Sequence, residues 1–72
     1  MSIDVWYSDG ENLTDKRHSE EVASIREGKA IMRKMLKAGN CDIVMYVRTD
    51  KSEDNRQYFF SNGKIIFDKD GY

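Results

Sequence analysis

Few residues in this sequence have types and spacing suited to chemistry. His18 is the only histidine and Cys41 the only cysteine. A nucleophilic thiolate needs its imidazole within about 3 Å. The sequence places a helix between them, and about 20 residues of helix would hold them about 30 Å apart. His18 is therefore expected as a polar residue at a helix start. Cys41 is expected as a small, buried apolar residue where a strand begins. A structural zinc site wants four Cys or His ligands, twice what the chain has.

Asp50-x-Ser52-x-Asp54 imitates the opening of a calcium loop. The glycine needed at its sixth position is replaced by Asn55, and the glutamate at its twelfth by Ser61. It reads as a solvated turn, although crowded acids nearby could hold a divalent ion weakly. Gly10, Gly28, Gly39, Gly63 and Gly71 are too scattered to cradle a phosphate. Carboxylates are plentiful, but nothing singles out a pair for acid–base work. No catalytic residue, cofactor or resident metal is assigned, and an enzyme is not expected.

The elements that would position any site fit in one domain, residues 1–72. The composition is 39% apolar and 35% charged, with no proline, and a lone cysteine allows no internal disulfide. No apolar run nears the roughly 18 residues that would cross a bilayer. Met1-Ser2-Ile3-Asp4 lacks the basic and apolar regions of a secretion signal. The expectation is a soluble, cytoplasmic domain with no membrane partner.

Ile3 to Tyr7 alternates as a strand does and ends at Ser8-Asp9-Gly10, a turn. Ser8 to His18 is a long connection in which Leu13 is the only apolar residue. A helix is expected from Ser19 as N-cap, with Glu20 and Glu21 in its first turn, or from Thr14 if it starts early. Val22, Ile25, Gly28, Ile31, Met32, Met35 and Leu36 share one helical stripe. Gly28 on that stripe implies a close approach by another element, and Gly39 closes the helix. Strands follow at Cys41–Thr49, Arg56–Phe60 and Lys64–Asp68, the last two joined by an Asn62-Gly63 hairpin turn. The tail after Asp68 should fray. This is an α+β fold: a four-stranded mixed sheet, β-α-β-β-β, with the helix packed on one face and the first two strands parallel through a right-handed crossover.

One helix covers one face. If that face carries Ile3, Val5, Tyr7, Ile43, Met45, Val47, Tyr58, Phe60, Ile65 and Phe67, the other carries Trp6, Val44, Tyr46, Phe59 and Ile66, interleaved with Asp4, Asp42, Arg48, Gln57, Lys64 and Asp68. A solvated face of an antiparallel sheet usually alternates apolar-in with polar-out. Contiguous aromatic and aliphatic residues instead suggest a partner. The leading reading is a protein interface, most simply a symmetric homodimer or a complex with a larger protein that the chain adapts or inhibits. Alternatively, the long connection or the tail covers the face through Leu13 or Tyr72. A third reading makes the face a nucleic-acid stacking platform, assisted by Arg26, Arg33, Lys34 and Lys37 on the basic half of the helix.

The formal charge of -1 conceals an uneven distribution. Residues 1–28 hold seven acids and three bases, residues 29–49 one acid and five bases, and residues 50–72 five acids and four bases. The expected fold gathers Asp9, Glu11, Asp15, Glu20, Glu21, Asp50, Glu53, Asp54, Asp68 and Asp70 at one pole. Lys29, Arg33, Lys34, Lys37 and Lys64 would lie towards the other.

Overall fold

Residues 1–9, 17–51 and 54–68, which the computed structural model describes, form six elements. They run β1 (Ser2–Ser8), β2 (Arg17–Val22), α1 (Ile25–Lys37), β3 (Cys41–Arg48), β4 (Arg56–Ser61) and β5 (Lys64–Asp68). The sheet order is β2-β1-β3-β4-β5, and every neighbouring pair is antiparallel. The fold is α+β with five strands rather than four, and its sheet is antiparallel rather than mixed.

The correction has one cause. Arg17–Val22 is a strand, not the start of a helix. It carries the chain back along β1 before α1 begins, so α1 returns the chain and β3 runs antiparallel to β1. No parallel crossover forms. The segment escapes a reading by hydrophobic alternation because Arg17, His18, Ser19, Glu20 and Glu21 are all polar, as suits a sheet edge. Leu13, Thr14 and Tyr72 lie outside the described residues.

Ser24, not Ser19, caps the helix. Its hydroxyl accepts from the Glu27 N–H at 3.2 Å, and the Glu27 carboxylate accepts from the Ala23 N–H at 3.2 Å. Ser24-Ile25-Arg26-Glu27 thus follows the Ser-x-x-Glu pattern that satisfies orphan donors from both directions. At the other end Gly39, with φ of 88°, donates to the Leu36 carbonyl, and the Asn40 N–H reaches the Met35 carbonyl. Those two bonds form a Schellman closure, as the glycine implied.

The core lies between α1 and one sheet face. Ile3, Val5, Ile43, Met45, Val47 and Tyr58 meet Met32, with Tyr7, Val22, Ile25, Ile31, Met35, Phe60 and Ile65 around them. This is the expected helix-side set, except that Phe67 at the sheet edge is 57% exposed. The helix packs chiefly on β3, β1 and β2, which leaves the β4–β5 end less covered. Gly28 is buried, and a Cβ there would overlap the Met45 sulfur. No described helix is long and apolar enough to cross a membrane.

The single acidic pole does not form. Asp9 follows β1 at the end where α1 finishes, whereas Asp50 and Asp54 lie in the β3–β4 connection near its start. Glu11, Asp15, Glu53 and Asp70 lie outside the described residues. In the β3–β4 connection the Asp54 N–H donates to the Lys51 carbonyl and the Thr49 N–H to the Asn55 side-chain oxygen. Ser52 also lies outside the described residues. Among the described residues no three His, Cys, Asp or Glu side chains group to hold a metal ion.

Replacing glycine by alanine inside a helix ordinarily adds about 1 kcal/mol of stability. Here Gly28→Ala should lower stability by about 1–3 kcal/mol through overpacking against buried Met45, measured by urea unfolding. Ser24→Ala should cost about 1 kcal/mol in the same assay.

Candidate interaction surface

The strand registers set the face opposite the helix. Trp6 stands across from Val44, Val44 from Phe59, and Phe59 from Ile66. At about 4.8 Å per strand this row crosses about 14 Å of sheet. A second row brings Asp4, Tyr46 and Gln57 side by side. All five expected residues, Trp6, Val44, Tyr46, Phe59 and Ile66, therefore share one face. Val44 is buried by its neighbours, Trp6, Tyr46 and Phe59 are half-buried, and Ile66 is 42% exposed. Trp6, Arg17, Asp42, Tyr46, Gln57 and Phe59 line a shallow concavity there. The buried Trp6 Nε1–H has no hydrogen-bond partner among the described residues.

Two arginines border the rings, and each is engaged by a carboxylate. Arg48 sits over Tyr46 at 5.4 Å and pairs with Asp4 at 3.3 Å. Arg17 lies over Trp6 at 5.9 Å, pairs with Asp42 and donates to the Ser8 hydroxyl at 3.2 Å. Asp42 reaches Arg17 from a bulge, where the β1–β3 register slips between Trp6 and Ser8. Its φ is 53°, a left-handed conformation that Asp tolerates better than most residues. Ser8 is fully buried, so Arg17 supplies a donor to a hydroxyl closed off from water. Asp4, Asp42 and Arg48 were expected on this face. Arg17 was not, because a helix start was expected to follow it.

The helix side holds the remaining chemistry. His18 Nε2 meets the Asp9 carboxylate at 2.7 Å, and its ring lies 5.4 Å from that of Tyr7. His18 is not at a helix start, nor a helix length from Cys41. It pairs with Tyr7 on one side of β1 while Cys41 pairs with Ser8 on the other, which sets their backbones about 10 Å apart. Its imidazole is taken up by Asp9. Cys41 does begin a strand but is half-buried rather than buried. Burial raises the Tyr7 hydroxyl above its ordinary pKa of 10.0, with the Glu20 and Asp9 carboxylates adding to the rise.

Arg26, Arg33, Lys34 and Lys37 are exposed on α1, which packs on the other side of the sheet from Trp6 and Phe59. The basic half of the helix and the aromatic face thus do not form one surface. Compared with known proteins, the chain matches no family model, no curated protein and no solved structure.

Arg17→Met should cost about 1–3 kcal/mol, because it leaves the buried Ser8 hydroxyl without its donor. Urea unfolding would show it, and Ser8→Ala in the same background should recover part of the loss. A raised acidic pKa favours the neutral phenol in the folded state. Stability from Tyr7 is therefore intact below pH 10 and lost as pH rises through the higher folded value. Tyr7→Phe should flatten the decline of stability above pH 10.

Proposed function

We propose that this chain is a protein-interaction module and that its working surface is the helix-free face. The observation that supports this is the Trp6–Val44–Phe59–Ile66 row, bordered by arginines already paired with Asp42 and Asp4. An apolar centre with a polar rim of mixed charge is how protein interfaces are built. The partner is a protein with an apolar centre of its own, either a second copy or a larger protein that the chain adapts or inhibits. Trp6, Tyr46 and Phe59 are the anchors, since aromatic side chains in partly closed surroundings carry most of an interface's energy.

The stacking-platform reading asks aromatic rings and free cations to meet one phosphate backbone. Here the face's two arginines spend their charge on carboxylates of the same chain. The cations of α1 lie across the sheet, so a strand stacked on Phe59 would have to wrap an edge to reach them.

Three measurements separate these readings. Light scattering reports a second copy, and co-purification with the tagged chain reports a larger protein. Phe59→Ala and Tyr46→Ala should each weaken the association found by about 2 kcal/mol or more, whereas Arg33→Ala and Lys37→Ala should leave it unchanged. Trp6, the only tryptophan, supplies a fluorescence probe for single-stranded oligonucleotides. Binding of an oligonucleotide that falls steeply with salt would replace this reading with the nucleic-acid one, and loss of the protein partner in the helix variants alone would overturn the helix-free face as the contact.

A further inference from the structure

The two edges of the sheet are dressed in opposite ways. β2 carries Arg17-His18-Ser19-Glu20-Glu21, with Ser19, Glu20 and Glu21 exposed, the kind of charged sequence that keeps an edge from pairing. β5 reads Lys64-Ile65-Ile66-Phe67-Asp68, and its Ile66 and Phe67 are 42% and 57% exposed on opposite faces. An edge strand with apolar side chains on both faces is open to a further strand.

The hairpin turn determines which backbone groups face outwards. Asn62 and Gly63 both have positive φ, 52° and 78°, which is the two-residue type I′ turn. Such a turn closes on Ser61 and Lys64 as a hydrogen-bonded pair, and the antiparallel ladder then alternates. Lys64, Ile66 and Asp68 direct their N–H and C=O groups to β4. Ile65 and Phe67 direct theirs to the edge that no described strand pairs.

The strand is also its own complement. Reversed about Ile66, a lysine position falls on an aspartate position and Ile65 falls on Phe67. We propose that β5 pairs antiparallel with β5 of a second copy across a two-fold axis at Ile66. Ile65 and Phe67 of the second copy then exchange both backbone hydrogen bonds, and so do the symmetry mates. The Lys64 position falls opposite the Asp68 position of the second copy at both ends, a register in which the formal charges are opposite. The contact uses the same patch on both chains, so it closes as a dimer. A head-to-tail pairing of β5 with β2 can oppose charges at the ends, Lys64 to Glu21 and Asp68 to Arg17, but it sets Ile65, Ile66 and Phe67 against Glu20, Ser19 and His18, and Arg17 is already paired with Asp42. The dimer is a ten-stranded sheet in which both helix-free faces lie on one continuous floor. The inference shares with the proposed function only the premise that the chain associates with protein. It does not need the helix-free face to be the contact.

The test is sedimentation of the full chain into the high micromolar range. The wild type should associate as a dimer. Lys64→Asp and Asp68→Lys each set like charges face to face at two places, and each should raise the dimer Kd about tenfold. An equimolar mixture of these two variants should restore association, because a mixed pair again opposes lysine and aspartate. Phe67→Pro removes an outward N–H, which an edge strand tolerates, together with a ring 5.6 Å from that of Tyr58 and 6.0 Å from the Arg56 guanidinium, and should be monomeric with an unchanged far-ultraviolet circular dichroism spectrum. Should the proline variant unfold, the charge-swapped pair decides alone. A wild type that stays monomeric overturns the inference. A dimer indifferent to the swaps but lost in Trp6→Ala or Phe59→Ala also overturns it, moving the contact to the helix-free face and leaving the proposed function standing.

Discussion

The approach of α1 to Met45 at Gly28 determines how this molecule is laid out. A side chain at that position would push the helix off the central strand β3, and every larger residue would push it further. With hydrogen in place of Cβ, the helix settles over β1, β2 and β3, where Met32 closes the core against Val5 and Met45. One helix of 13 residues placed there cannot also cover β4 and β5. The exposure of Phe67 follows from the same placement, as does a sheet face that no described helix covers.

The core was legible because it obeys simple periods. Alternation in β1, β3, β4 and β5 assigned the helix-side residues correctly, and Asn62-Gly63 and Gly39 marked a turn and a helix end through the positive φ each needs. What misled was β2. Glu20 and Glu21 after Ser19 satisfy the local electrostatics of a helix start, yet they serve as the charged dressing of a strand edge. The competing signal, Ser24 three residues before Glu27, was present and is the stronger one, because it satisfies donors on both sides of the cap. From that single misplacement came the parallel pairing, the helix-length gap between His18 and Cys41, and the unified acidic pole.

The helix-free face was legible in its rings but not in its ion pairs. Trp6, Val44, Tyr46, Phe59 and Ile66 fall together by strand alternation alone. That Arg17 reaches Asp42 and Ser8 depends on β2 being a strand and on a bulge in β3. Neither leaves a pattern of apolar residues to read. Two of the cations on this face, Arg17 and Arg48, are thus paired with carboxylates of the chain itself.

The position of β1 has a consequence for how the molecule assembles in time. β4 and β5 are joined by a two-residue turn, and a hairpin of this kind closes within about 1–10 μs. β1 is the first strand in sequence, yet it lies between β2 and β3 at the middle of the sheet. Its pairing with β3 must enclose β2, α1 and their connections, an entropic demand that local contacts do not share. Among the described strand pairings, the seating of β1 against β3 therefore carries the largest loop-closure cost. The β1–β2, β3–β4 and β4–β5 pairs each join consecutive strands and do not depend on it.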